Sequence, residues 1–336
     1  MNSFRRIVIL SILFVAAGCL GANPAAAKWK YLRSGNAADA VVTPKGGFAL
    51  MGGGGHQEEA FQFLCDRANG GDFLVLRASG DDDYIKQVND EMLKTCPLNS
   101  AATILFTDRD EDADDPKIVD IIAHAESIFF AGGDQSNYVR FWQDTPIEKA
   151  LNDHIAAGKP IGGSSAGLAI LGEFSFSSMI DTIHSPEALA NPYGNEVTLT
   201  RDFLKIPLLA DVITDTHFVK RDRMGRLLVF LSRILQDDWA PRARGIALEE
   251  NASFLLELDG TGVVAGVGPA YFLETSAKPT QCAYRKPLSM DGIKVHRVPK
   301  GMRFNVKTWK GEGGDDYVLN VKDGQVSAVG STHGIY

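Results

Sequence analysis

Pro160-Ile161-Gly162-Gly163-Ser164-Ser165-Ala166-Gly167-Leu168 places the pattern Gly-x-Ser-x-Gly between a short apolar run and the helix-forming residues Leu168-Ala169-Ile170-Leu171. In such a stretch a strand ends, one residue is held in strained backbone geometry, and a helix starts at once. The flanking glycines are needed because a Cβ there would collide with the neighbouring strand or helix. The effect is to lift the Ser165 hydroxyl clear of the sheet as a candidate nucleophile. The same pattern also occurs as a plain Gly-Ser turn between buried elements. The surrounding chain decides between the two.

Outward from that turn, strand and helix signals alternate. Gly47-Phe48-Ala49-Leu50-Met51 reads as a short strand. Phe73-Leu74-Val75-Leu76, Ala102-Thr103-Ile104-Leu105-Phe106 and Ser127-Ile128-Phe129-Phe130-Ala131 are continuous apolar runs, the mark of strands covered on both faces. Between them, residues 57–68, 83–95 and 118–125 read as helices. In the first, Ala60, Phe61, Leu64, Cys65 and Ala68 recur at three- and four-residue spacing. A further helix runs from Pro146 to Ala157, with Thr145 suited to cap it and Pro146 to its first position. Short connections between alternating elements predict an α/β fold: a doubly wound, mostly parallel sheet with helices on both faces. Residues 29–45 read as loop or edge strand, 174–201 as a long surface excursion carrying His184, and 276–336 as a β-rich C-terminal extension packed on the same domain.

The chain has 336 residues, 45% of them hydrophobic, and a net charge of -8. An acidic chain without a basic block is a poor nucleic-acid binder. Arg5-Arg6, the apolar run 7–17 and Ala25-Ala26-Ala27 read as an export signal over residues 1–27, leaving a catalytic region at 28–275. The apolar run is too short for a permanent membrane span. Cys19, after Gly18, is the weaker, lipoprotein alternative to cleavage after Ala27, because Ala16 stands where such sites usually carry Leu. Cys65, Cys96 and Cys282 remain after cleavage at Ala27. Cys65 and Cys96 can bridge in an oxidising compartment, or Cys65 can be a core residue on its helix. No cysteine or histidine spacing suggests a metal. The acidic run from Asp108 to Asp115 fails as a calcium loop, since Ala113 stands where glycine is needed and Val119 where a bidentate glutamate is needed. The four glycines 52–55 with His56 permit close backbone approach, but their spacing is not that of a dinucleotide fingerprint.

Three further blocks carry chemistry. Gly132-Gly133-Asp134-Gln135 lies just past a buried strand, where ligands bind in doubly wound sheets. An N–H of Gly133 or Asp134 facing the same point as that of Ala166 makes an oxyanion hole, worth roughly 3–4 kcal/mol per donor. Asp211-Val212-Ile213-Thr214-Asp215-Thr216-His217-Phe218 is a strand ending in a polar cluster. Residues 219–231 then read as a helix with Arg221, Arg223 and Arg226 in its first half, which opposes the helix dipole and suggests that these guanidiniums bind carboxylates. A solvated charged face is the alternative. Gly245-Ile246-Ala247-Leu248-Glu249-Glu250 ends in two acids, of which one can hold a histidine in a single tautomer.

Together these blocks resemble the cyanophycinase family, within the peptidase E-like serine peptidases of class I glutamine amidotransferase-like fold. The resemblance covers about residues 47–273 and rests on Gly132-Gly133-Asp134-Gln135, Gly163-Ser164-Ser165-Ala166-Gly167, Asp215-Thr216-His217-Phe218 with Arg221, Arg223, Gly225 and Arg226, and Gly245 to Asn251. It implies an exported serine peptidase with a Ser165, His217 and Glu250 triad and an oxyanion hole at Gly133 and Ala166. It further implies a pocket lined by Gln135, Asp215, Thr216, Arg221, Arg223 and Arg226. The family's substrate is cyanophycin, a polyaspartate whose β-carboxyls carry arginine, cut to β-aspartyl-arginine. Asp215 would meet the substrate guanidinium and the arginines its carboxylates. Thr216 departs from the family's usual glutamine. The partner implied is a peptide or cyanophycin-type polymer, with no cofactor and no nucleic acid. A homodimer is compatible with the sequence, which fixes no oligomeric state. The other readings are an α-aspartyl dipeptidase or amidase of the same fold, and an exported binding protein without turnover.

Overall fold

Alternate residues of the central strands point to opposite faces, and this explains why their sequences are apolar throughout. In the strand Asp72–Arg77, Phe73 and Val75 pack on the helix Glu58–Ala68, while Leu74 and Leu76 face the larger core built with Ile118, Ile122, Trp142 and Leu151. The computed structural model describes residues 29–336 except His56, Asp81, Asp82, Tyr84 and Asp108, and omits the side chains of Asp110 and Glu111. The export signal, the cleavage site after Ala27 and Cys19 lie outside the described residues.

Five strands run parallel at the centre of the first sheet, in the order Ser100–Leu105, Asp72–Arg77, Ser127–Phe130, Ile161–Ser164 and Phe48–Met51. Helices cover both faces, as the alternation requires. Lys30–Gly35 is an antiparallel edge strand beside Ser100–Leu105. Beyond Phe48–Met51 the sheet continues antiparallel through Ala252–Leu256 and Thr261–Gly266 to Arg303–Asn305 and Lys310–Glu312. Thr145 caps the helix Pro146–Ala156 by accepting from the Glu148 N–H.

The remaining strands form a second sheet. Val212–Asp215 is parallel to Ala243–Leu248 and to Phe174–Phe176. Ala270–Thr275, Met290–Val298, Asp315–Lys322 and Gln325–Val329 extend it antiparallel, so the β-rich C-terminal region lengthens both sheets. The helix Met224–Gln236 packs on this second sheet with Leu227, Leu228, Phe230 and Leu231 fully buried. The chain passes from the first sheet to the second through the short helix Ala166–Ala169. It returns through the turn Glu249 to Asn251.

Two expectations need correction. Residues 174–201 are not a surface excursion. Phe174–Phe176 pairs with Leu199–Arg201, Ser185–Ala190 is helical with Pro186 in its first turn, and Phe174, Phe176, Ile183 and Leu189 are buried. Strands of three residues are too short to show a period-2 pattern. The helix expected from residue 219 begins at Met224. His217 and Asp222 have φ of 46° and 48°, which breaks any helix before that point. Arg221 and Arg223 therefore sit ahead of the helix rather than within it.

Cys65, at the end of one helix, and Cys96, just beyond Ile85–Thr95, form a disulfide with their Cα atoms 5.7 Å apart. Cys282 is a buried free thiol, pushed up to about 12 by burial.

Candidate active site

Ser165 sits at φ 53° and ψ -115°, between the strand Ile161–Ser164 and the helix Ala166–Ala169. Such a conformation costs a non-glycine residue on the order of 1–3 kcal/mol. The surroundings enforce it. The Ser165 N–H donates to Met51 O at 3.1 Å, and a Cβ on Gly167 would lie 2.1 Å from Phe130 O. The strain presents Oγ at the open end of the strand, 2.7 Å from His217 Nε2.

His217 arrives from the other sheet, two residues beyond the strand Val212–Asp215. Its N–H donates to Gly52 O at 2.8 Å, and its left-handed backbone turns the ring back toward Ser165. The glycine run after Phe48–Met51 is the floor beneath that ring. A Cβ on Gly53 would stand 2.4 Å from His217 Cε1. Gly53 O accepts from the Asn251 N–H at 2.7 Å, and the Gly55 N–H donates to Asn251 Oδ1 at 2.8 Å. The run thus serves a neighbour, as its composition suggested. His56 lies outside the described residues.

The turn returning to the first sheet supplies the carboxylates. Glu250 Oε1 is 2.7 Å from His217 Nδ1. Glu249 Oε2 accepts from the N–H groups of Val219 and Lys220. The strand has ended at Leu248, so the two acids are not confined to opposite faces, and each fixes a different part of the histidine loop. An ionised carboxylate only accepts, so Nδ1 carries the imidazole proton and Nε2 offers its lone pair to the serine hydroxyl. An arrangement of this kind can take a proton from the hydroxyl and hold the resulting positive charge against an acid. Burial holds His217 below the usual imidazole value, against the raising effect of its bond to Glu250, and the charges of Arg221 and Arg223 depress it further. Glu250 is held below the carboxylate range, first by the hydrogen bond from His217.

Gly133 and Ala166 both border the cavity in front of Ser165, which measures about 310 Å³. The Asp134 N–H is committed to Ser79 Oγ at 3.2 Å, whereas the Gly133 N–H has no hydrogen-bond partner among the described residues. Gln135, Asp215, Thr216, Arg221, Arg223 and Arg226 all line the same cavity. They do not all face a ligand. Asp215 is only 2% exposed and receives Arg226 through Nε at 2.9 Å and through Nη2, with Arg223 at 3.7 Å. The expectation that Asp215 meets a substrate guanidinium is therefore corrected: two guanidiniums of the chain already neutralise it. Arg223 Nη1 also donates to Thr216 O and Oγ1, each at 2.9 Å. Gln135 Nε2 donates to Phe176 O at 3.3 Å. Arg221 is exposed, and its guanidinium has no ion-pair or hydrogen-bond partner among the described residues. The reading of the sequence missed Arg140 and residues 178–182, which complete the cavity wall. The signal of residues 178–182 was hidden in the segment taken for a surface loop, while Arg140 lies on the helix Gln135–Trp142, outside every motif the sequence offered.

Comparison with known proteins agrees with this picture. A strand-turn-helix serine beside an imidazole on an α/β scaffold is shared by serine hydrolases of several kinds, and the relatives of this chain make it a serine-type peptidase. Residues 49–190 match the model of peptidase family S51. Over 279 residues the chain is 28% identical to a cyanophycinase of Synechococcus elongatus, covering 79% of this chain and 80% of the relative. A cyanophycinase of Geminocystis herdmanii is 26% identical over 200 residues, covering 58% of this chain and 68% of the relative. The crystal structure of a peptidase from an acI-B1 Actinobacterium shares the fold, with a TM-score of 0.54 at 15% identity, over 78% of this chain and 97% of that one. The chain is thus similar to peptidase family S51 over residues 49–190 and to cyanophycinases over most of its length.

Two measurements probe the site. Phosphonylation of Ser165 by a fluorophosphonate needs neutral His217, so its rate should fall on acidification with an apparent pKa below the ordinary ~6.5. Arg221→Ala removes a nearby positive charge, stabilises the imidazolium, and should move that limb to higher pH. An unmoved limb would show that Arg221 does not act on the ring. Gly53→Ala forces the ring from its place and should lower the labelling rate by roughly 100-fold, the scale of a misplacement of about 1 Å. An unchanged rate in a folded Gly53→Ala variant would remove the glycine floor from the argument.

Proposed function

We propose that this protein is an exported peptidase that cuts cyanophycin or related β-aspartyl peptides to β-aspartyl-arginine through an acyl-enzyme. The observation that carries the reading is the unbroken chain from Ser165 Oγ to His217 Nε2 and from His217 Nδ1 to Glu250, 2.7 Å at each link. Ser165 Oγ attacks the scissile carbonyl while His217 Nε2 takes its proton. The N–H groups of Gly133 and Ala166 receive the charge that develops on the carbonyl oxygen. His217 then returns the proton to the leaving amine, and a water activated by the same nitrogen releases the acyl group. Glu250 keeps the ring in the productive tautomer throughout.

The relatives named cyanophycinase support the substrate class. So does the cavity: Arg221 is charged, exposed and unpaired among the described residues, a ready partner for a substrate carboxylate. Gln135 and Thr216 are placed to border the peptide. The paired Asp215, Arg223 and Arg226 stiffen the wall behind it. Thr216 lacks the amide of the usual glutamine, which favours a second reading, an α-aspartyl dipeptidase or amidase of the same fold. The disulfide between Cys65 and Cys96 supports export to an oxidising compartment.

Incubation with insoluble cyanophycin granules tests the reaction. Wild type should release β-aspartyl-arginine, and Ser165→Ala should lose the activity by a factor on the order of 10⁴ or more. Equal clearing by the two would sink the mechanism; turnover of soluble aspartyl dipeptides with intact granules would select the second reading. The intact mass of protein recovered from the periplasm or medium should correspond to a chain starting at Lys28 with Cys65 and Cys96 oxidised. A lipidated chain starting at Cys19 would replace soluble export with membrane anchoring.

A further inference from the structure

The loop between His217 and the helix Met224–Gln236 carries Arg221 and Arg223 of the cavity wall, yet it contains neither helix nor strand. It is held from outside. Ser185 Oγ donates to Asp222 O and accepts the Arg226 N–H at 3.1 Å. On the other side stands Tyr336. Its hydroxyl donates to Asp222 Oδ1 at 2.7 Å and accepts the Met224 N–H at 3.1 Å. That N–H is one of the first-turn donors that a helix cannot satisfy internally. Burial pushes the Tyr336 phenol well above its usual range, so it remains a donor to Asp222 at any working pH.

The ring of Tyr336 does separate work. It meets Phe218 edge-on, with centroids 5.7 Å apart, and Tyr271 at 6.1 Å, while Phe218 and Tyr271 lie 5.3 Å apart. Phe218 is fully buried and directly follows His217. The segment is itself tied down, since the Tyr317 hydroxyl donates to Ile335 O at 3.1 Å.

We propose that Tyr336 is a positioning residue for the peptidase reaction: its hydroxyl sets the loop that presents Arg221 and Arg223, and its ring holds Phe218 and so the imidazole of His217. This rests on the proposed roles of those residues. The two halves of the side chain should separate in kinetics. Tyr336→Phe keeps the ring and loses the hydroxyl. It should raise KM for β-aspartyl-arginine release about five- to tenfold, the scale of one lost hydrogen bond, with kcat and the rate of Ser165 labelling nearly unchanged. Tyr336→Leu keeps apolar bulk and loses the ring. It should lower the labelling rate by about tenfold, and Tyr336→Phe should restore that rate. Unchanged KM in Tyr336→Phe overturns the role of the hydroxyl, even if its Tm falls. Unchanged labelling in Tyr336→Leu overturns the role of the ring. Should wild type label at Ser165 but release nothing from the polymer, the substrate reading fails, and the ring's role is still decided by labelling alone.

Discussion

Everything at this site depends on one imidazole reaching across the seam between two sheets. Ser165 belongs to the first sheet, and His217 arrives on the second. Glu250 lies on the turn that leads back. No local sequence preference brings these groups together. The distances are set by the backbone bonds that stitch the seam, from His217 to Gly52 and from Asn251 to Gly53. Both positions need glycine, since a Cβ on Gly53 would occupy the space of the ring and one on Gly52 would collide with Glu249 O. Strain at Ser165 and the left-handed turn at His217 are both sustained by this stitching.

The charges around the cavity follow a second constraint. A buried carboxylate is tolerated only when it is paired, and Asp215 is paired twice over. Removing Arg226, which grips both carboxylate oxygens, would leave only the 3.7 Å contact to Arg223 and cost about 3–5 kcal/mol, so Arg226 is part of the frame rather than a free binding group. That leaves Arg221 as the exposed guanidinium of the loop. Burial first, and then the charges of Arg221 and Arg223, lower His217 below the usual imidazole value, which favours the proton-accepting form the proposed mechanism requires.

Much of this was legible in the sequence because it lies in local patterns. The Gly-Ser-Ser-Ala-Gly turn, the apolar central strands, the helix caps and the acid pair after Leu248 each leave a short-range signature. The α/β fold with a β-rich C-terminal region follows from their alternation. What was not legible depends on long-range pairing. The division into two sheets turns on three-residue strands that carry no period. The start of the helix at Met224 is decided by left-handed residues that a basic, helix-like sequence conceals. The engagement of Asp215 by Arg226 joins residues 11 apart, and that of Asp222 by Tyr336 residues 114 apart. Neither pairing is written in the spacing of motifs.

The turn Glu249 to Asn251 has one more implication. Its three successive side chains grip three different elements: the loop after His217, the imidazole itself, and the glycine run. Insertion or loss of a single residue there would put all three out of phase at once. A nascent chain that has not yet delivered this corner to the seam has a serine and a histidine but no assembled relay. On the proposed roles, such a precursor is inert by construction and gains its cutting power only when the last third of the polypeptide docks.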